Sequence, residues 1–379
     1  MKEFGKKTKT FKVLLLIDTS GGFGRKFIKG IIKFASENPW EIIGAQKGLL
    51  RPDLMGIEAD GAILYYSKTN MKFLLKNKAV ILVGPPDKTS NFPHIKVDSE
   101  TIGIKCAEYY LNKGFRNFAF CHEGKWRGNG YIDRIAKAGF GTHIYQQPKV
   151  PGWKEERPFM AKWLKSLPKP VGIMATNDDR AQYIVDASKF AGLAIPEEAA
   201  IVGVDNDEII CNQTKPHLSS MMLNMEKAGY ESAELLNKFM AGSQKMSHQE
   251  IMIEPMYVVE RQSTDILAIE DKEVVIAVKF IIKNVLEPIQ VSDICNIAAV
   301  SRRNLEMRFK NILGRSILEE INRVRVKEII RLLMETDLSI LQIALLFKYT
   351  SHYNICRFFR NATGMSPFEY RKQHYYKQR

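Results

Sequence analysis

The sequence predicts an α/β two-lobed domain built on parallel sheets, followed by an all-α domain with two helix-turn-helix motifs. Three observations predict it. Strand and helix signals alternate over roughly the first 265 residues, glycine then vanishes between Gly242 and Gly314 while helix signals take over, and positive charge collects at the C-terminal end. Of a net charge of +14, residues 300–379 hold 16 Lys and Arg against 7 Asp and Glu, a balance of +9. A nearly balanced body with a basic terminal fifth reads as a polyanion-binding module joined to a separate globular unit.

The first lobe opens with the apolar run Val13–Ile17, a turn at Asp18–Gly24 and a helix over Lys26–Ser36, where Phe27, Ile28, Ile31, Ile32 and Ala35 share one face. Trp40–Ala45, Gly61–Tyr65 and Val80–Val83 are further short runs with helix-sized segments between them. This is βαβ grammar, which gives a parallel sheet with helices on both faces. It restarts at Phe118, with strands at Phe118–Cys121, Val171–Ala175 and Ala200–Val204 and helices at Asp179–Ala191 and Met225–Met240. Residues 251–265 are expected to form a closing strand pair.

In open α/β sheets ligands sit beyond the carboxyl ends of the strands. Asp18, Asp98, Asn177, Asp178 and Asp205 all follow strand-like runs. Each alone is also a good helix N-cap. Several carboxylates and amides converging on one cleft suit a hydroxyl-rich ligand, which offers many donors and acceptors, and suit a phosphate poorly.

Composition narrows the classes further. The chain of 379 residues is 45% apolar and 26% charged, which excludes disorder over most of its length and allows two or three domains. No uncharged apolar stretch approaches the ~18–20 residues of a spanning helix, so no membrane partner is expected. The N-terminus is basic, but the apolar run after it is only five residues long and no small-residue cleavage site follows, so it reads as a strand and not a signal peptide. Cys106, Cys121, Cys211, Cys295 and Cys356 are scattered without a CxxC pair, and the seven histidines form no ligand spacing. Neither a disulfide framework, a metal nor a cofactor is expected, and a reducing cytoplasm fits. A Walker loop, GxSxG and GxGxxG are absent, so an enzyme of the sugar-processing kind is disfavoured.

In the basic module, Lys272–Val285 reads as one helix stopped before Pro288. Ser292 is expected to cap a short helix with Ile294, Ile297 and Ala298 inward, and Ala299-Val300 to form a tight turn. Ser301 then caps an outward helix that buries Leu305 and Phe309 and presents Arg302, Arg303, Asn304 and Arg308. The pattern recurs: Ser339 caps the run to Phe347, Lys348-Tyr349-Thr350 make the turn, and Ser351 opens a helix that buries Ile355 and Phe358-Phe359 and presents His352, Tyr353, Asn354 and Arg357. The helical stretch Ile317–Met334 joins the copies as a rigid spacer. Two helix-turn-helix units about one duplex turn apart can enter successive major grooves, where Arg suits guanine and Asn suits adenine. Arg308, Lys310, Arg315, Arg360, Arg371 and Lys372 are better suited to phosphates.

These segments carry a family resemblance. Val300–Lys310, Glu335–Ile340 and above all Arg357–Arg371 resemble the AraC family of DNA-binding domains. Val97–Gly103, Gly114–Phe120, Met174–Asp178 and Val202–Glu208 resemble the effector domains of the LacI and periplasmic-binding-protein type. The order, effector domain first, is similar to that of the bacterial xylose-operon regulators. The resemblance implies a sequence-specific transcription regulator controlled by a small sugar, a pentose such as xylose first, acting as a homodimer on double-stranded DNA with RNA polymerase as a further partner. The composition shift after residue 265 divides the chain into an expected basic tail at 1–10, effector domain at 11–265, linker at 266–273 and DNA-binding domain at 274–379. Asp98, Asn177 and Asp205 match sugar-contacting positions, Asp18 and Asp178 neighbour them, and Arg25 matches a segment bordering the cleft. Where members often carry a ligand-binding Arg, this chain has Gly130, with Arg127 nearby as a substitute. Ala299 and Lys348 stand where glycine usually precedes the outward helices, and Asn354 where an aromatic is common.

Overall fold

The structure is a computed structural model that describes residues 9–45, 58–65, 79–84, 92–122, 127–349 and 351–374. Most of the basic tail, Trp126 and Thr350 lie outside the described residues. The first half contains β1 (Phe11–Leu16), α1 (Gly22–Glu37), β2 (Trp40–Ala45), β3 (Gly61–Tyr65), β4 (Ala79–Val83), β5 (His94–Val97) and α2 (Ser99–Asn112). Then come β6 (Asn117–Cys121), α3 (Asn129–Lys137), β7 (Thr142–Ile144), α4 (Trp153–Ser166), β8 (Val171–Ala175), α5 (Asp178–Ala191), β9 (Ala199–Val204) and α6 (Glu208–Gln213). β10 (Ser219–Leu223), α7 (Met225–Met240), β11 (Glu250–Ile253) and β12 (Pro255–Val259) complete this part.

The strands form two six-stranded sheets in the same pattern, β11-β5-β4-β3-β1-β2 and β12-β10-β9-β8-β6-β7. All described pairings are parallel except β10 with β12. Helices cover both faces, which is why the strands are continuous apolar runs: Val13–Ile17 and Val171–Ala175 are buried throughout. The expected closing strand pair is corrected. β11 extends the first sheet beside β5 and β12 extends the second beside β10, so each closes its own lobe. Two adjacent extended runs look like a hairpin, but Glu254 between them is too short a turn, and the chain passes from one lobe to the other there. It also crosses after β5, since α2 packs on α3 and β12, and after β10, since α7 packs on α1.

The all-α part holds α8 (Lys272–Lys283), α9 (Val291–Ala298), α10 (Arg302–Leu313), α11 (Ile317–Glu335), α12 (Ile340–Leu346), α13 (His352–Thr363) and α14 (Pro367–His374). It has two small cores. Val274, Ile294, Leu305, Phe309 and the N-terminal half of α11 make one, and Ile343, Phe347, Ile355, Phe359 and the C-terminal half of α11 make the other. The 19 residues of α11, about 28 Å at 1.5 Å per residue, are therefore a strut shared by both units. Ser316–Glu319 and Ser339–Gln342 capping boxes start α11 and α12. Two expectations in α9 are corrected. Its cap is Gln290, whose N–H donates to Asp293, and not Ser292. Starting there sets the helical phase so that Ile294, Cys295 and Ala298 face inward and Ile297 is exposed. Ala299 and Lys348 adopt left-handed φ of 53° and 59° after α9 and α12, the conformation that glycine ordinarily supplies.

The segment between the two parts is stitched to both. Ile266 and Ala268 pack on the effector side, while Leu267 and Ile269 pack on the α8–α10 core. Ala268 N–H donates to Lys113 O at 2.9 Å. Alternation at period two places successive side chains on opposite faces of an extended chain.

Candidate functional site

The carboxyl ends of β1, β3, β8 and β9 meet where the lobes face each other. β9 ends in a turn over Asp205–Asp207 in which Asp205 and Asn206 hold φ of 101° and 48°. The first lobe reaches across to this turn. Arg25, on the first turn of α1, donates to Asp207 at 2.6 Å and to the carbonyls of Ser20 and Thr19. Lys26 donates to Asn206 O at 2.6 Å. The approach is close: a Cβ on Gly22 would lie 2.8 Å from Asp207 Cβ. α1 begins earlier than the expected Lys26, so both cations sit near its N-terminal end.

Asp205 is paired with Arg127 at 3.0 Å, and Arg127 also donates to Thr176 O at 2.9 Å, next to Asn177. Burial raises the Asp205 carboxyl above its usual range, while Arg127 opposes the rise. Tyr65 ends β3 beside this group. Burial, with the charges of Asp18 and Asp205, pushes its phenol up to about 12, and Arg127 opposes them. The centre thus gathers Asp18, Tyr65, Arg127 and Asp205, with Arg25, Lys26 and Asp207 at one side.

Hydrogen bonds hold the expected strand-end residues. Asp18 accepts from both the N–H and the O–H of Ser20. Asp98, at the β5-to-α2 crossover, caps α2 by accepting from Thr101 N–H, and Asn177 caps α5 by accepting from Arg180 N–H. Asp178 is corrected as a ligand contact. It is 2% exposed and its carboxylate takes Ser220 O–H at 2.5 Å and Asp207 N–H at 2.6 Å, so it lies behind the turn and not in the cleft. Burial, reinforced by Asp205, pushes its carboxyl up to about 8, against the two hydrogen bonds. Lys26, Tyr65 and Asp207 were missed. Tyr65 ends a strand, as the acidic candidates do, but reads as core apolar. Asp207 lies two residues after Asp205.

On the all-α part, Ser301, Arg302 and Arg303 are exposed at the start of α10, as are His352, Tyr353, Asn354 and Arg357 on α13. Tyr353 is 73% exposed and its ring lies 4.0 Å from that of His352. Ser351 caps α13 by accepting from Tyr353 N–H. Three basic residues expected to meet phosphate are corrected. Arg308 is held by Asp271 and Glu273 and by half-buried Asn304, so α10 presents two exposed cations at its start and a tethered one further on. Arg315 donates to buried Glu320 at 2.5 Å and to the side chain and carbonyl of Asn112, at the end of α2. Arg371 donates to the carbonyls of Leu333, Thr336 and Leu338. In each case an unsatisfied carboxylate or carbonyl within the fold outcompetes solvent for the guanidinium.

The two parts meet through further polar contacts. Lys113 and Lys327 flank Glu260, and although burial alone would raise this carboxyl, the two lysines hold it at about 2. Tyr257 donates to Glu335 and Arg116 to Ile312 O. A cavity of about 360 Å³ lies at this boundary, lined among others by Tyr109, Val258, Val278 and Val324.

A two-lobed domain with a polar cleft, docked on paired helix-turn-helix units, defines a ligand-responsive DNA-binding regulator. Comparison with known proteins agrees. Residues 107–264 match the periplasmic binding protein-like domain family and residues 294–373 a helix-turn-helix domain family. The xylose operon regulatory protein of Haemophilus influenzae is 30% identical over 95% of this chain and 98% of its own, and that of Escherichia coli K12 is 27% identical over 96% and 97%. A solved structure of the xylose-binding transcription activator xylR superposes over 97% of this chain and all of that one, with a TM-score of 0.60 and 25% identity. The chain belongs to the xylose operon regulator family and is a DNA-binding, sugar-responsive transcription regulator.

Proposed function

We propose that this chain regulates transcription in response to a pentose, D-xylose first, seated between the lobes at 11–265 and read out by the module at 274–379. Asp18, Arg25, Tyr65, Asp98, Arg127, Asn177 and Asp205 would hold the sugar. A pentose offers only hydroxyl and ring oxygens, and the Arg127–Asp205 pair presents donors and an acceptor side by side to such groups. Arg302, Arg303, His352, Tyr353, Asn354 and Arg357 would enter the major groove, with Ser301 and Ser351 at the helix starts beside the backbone. The protein would act in the cytoplasm as a homodimer, with RNA polymerase as a further partner.

The observation that carries this reading is the pairing, in one chain, of a charged inter-lobe cleft with two helix-turn-helix units on a common strut. α2 is capped by Asp98 at the crossover and ends at Asn112, which receives Arg315 from the segment just before α11. A change in lobe closure can thus bias how the strut is held, which is coupling between two sites through a packed element. Isothermal calorimetry against D-xylose, L-arabinose, D-ribose and D-glucose tests the effector. Saturable binding of D-xylose, weakened tenfold or more in Asp205→Ala, is expected; no heat with any pentose would overturn it.

A further inference from the structure

Asp178 raises a problem that its burial makes sharp. A carboxyl group is costly to place away from water unless it is hydrogen-bonded, and Asp178 is 2% exposed. Its partners point to another role. Oδ2 accepts from the backbone N–H of Asp207, and Oδ1 accepts from Ser220 O–H, whose oxygen in turn accepts from the backbone N–H of Asn206 at 2.9 Å. One carboxylate thus pins two consecutive residues of the β9–α6 turn. In that turn Asp205 and Asn206 hold φ of 101° and 48°. Backbone held at such angles persists only when its surroundings over-determine it. Both neighbours of Asn206 carry the side chains that matter in the cleft, Asp205 to Arg127 and Asp207 to Arg25. β9 is shaped to admit the prop, since a Cβ on Gly203 would sit 2.2 Å from Asp178 Oδ1.

We propose that Asp178 is a positioning residue for effector binding: with Ser220 it holds the Asp205–Asp207 turn in its left-handed conformation, and thereby aims Asp205 at the sugar and Asp207 at Arg25. This rests on the cleft reading given above and adds to it the part that orders the cleft. In Asp178→Asn the amide oxygen can still accept from Asp207 N–H, and its NH₂ can donate to Ser220, so most of the geometry survives. In Asp178→Ala both anchors go.

The test uses the full-length chain in two arms. Hydrogen exchange read by mass spectrometry needs no ligand. Asp178→Ala is expected to speed exchange in the peptide spanning 204–208 at least tenfold, while β8 and the α8–α14 module exchange as in wild type, and Asp178→Asn is expected to restore most of the protection. Unchanged exchange at 204–208, or acceleration spread evenly over the second lobe, overturns the proposal. The second arm is a double-mutant cycle on D-xylose affinity by calorimetry. Asp178→Ala and Asp205→Ala are each expected to weaken binding tenfold or more, and the double variant by clearly less than the product of the two losses, because residues acting through one another are non-additive. Additive losses would mean that Asp178 meets the sugar independently. If wild type takes up no D-xylose while the exchange arm behaves as expected, the cleft reading fails and the positioning of the turn stands.

Discussion

The two helix-turn-helix units share a plan and differ in how they are held. The first is docked: Arg315 ties the segment after α10 to Asn112 of the effector domain, Arg116 donates to Ile312 O, and Arg308 of α10 itself is drawn back to Asp271 and Glu273 at the start of α8. The second projects His352, Tyr353, Asn354 and Arg357 with little to restrain them. Its named links to the effector part run through the end of α11, where Tyr257 meets Glu335, and through His374 near Glu254. The first unit is thus placed to receive the state of the cleft, and the second to follow it through the strut.

The largest effect is expected where the docked unit meets nucleic acid. Arg302→Ala with Arg303→Ala should weaken specific duplex binding by about 1–3 kcal/mol per arginine and flatten the salt dependence, as read by fluorescence anisotropy over a salt series. Affinity and salt slope equal to wild type would place the contact elsewhere. Next is the docking itself. Arg315→Lys leaves a cation for Glu320 but cannot make the fork to Asn112. It should keep D-xylose affinity and reduce the sugar-induced change in DNA affinity, normally about 1–3 kcal/mol for coupled sites, toward zero. A full response in this variant would equalise the two units. On the second unit, Tyr353→Ala should weaken duplex binding by about 1 kcal/mol without altering the melting temperature, because the ring supports no core. The smallest effect concerns what the units share. Ala299→Gly and Lys348→Gly should each stabilise the protein against urea by up to about 1 kcal/mol by relieving positive φ, offset in part by the entropy of the unfolded glycine.

Both units were legible in the sequence because helical periodicity is local: Leu305 and Phe309, or Ile355 and Phe359, declare a buried face within a single turn. The lobes were legible for the same reason, while Ala299 and Lys348 stood out because the resemblance puts glycine at their positions. What sequence did not reveal depends on distant partners. Arg315 looks like any basic residue near a helix-turn-helix until Asn112, 203 positions away, comes beside it. Arg371 and Arg308 were misplaced likewise. Asp178 sits next to Asn177 at a strand end, and nothing local distinguishes a residue that lines a cleft from one that props the turn behind it. β11 and β12 follow each other so closely that only the two sheets reveal they belong to different lobes.

The most direct measurement takes a duplex that the protein itself selects from a random library and follows its binding by anisotropy at fixed salt, with and without saturating D-xylose. At least a fivefold change in dissociation constant is expected in wild type and none in Asp205→Ala. Identical constants with and without sugar, in a protein that calorimetry shows to be saturated, would contradict it.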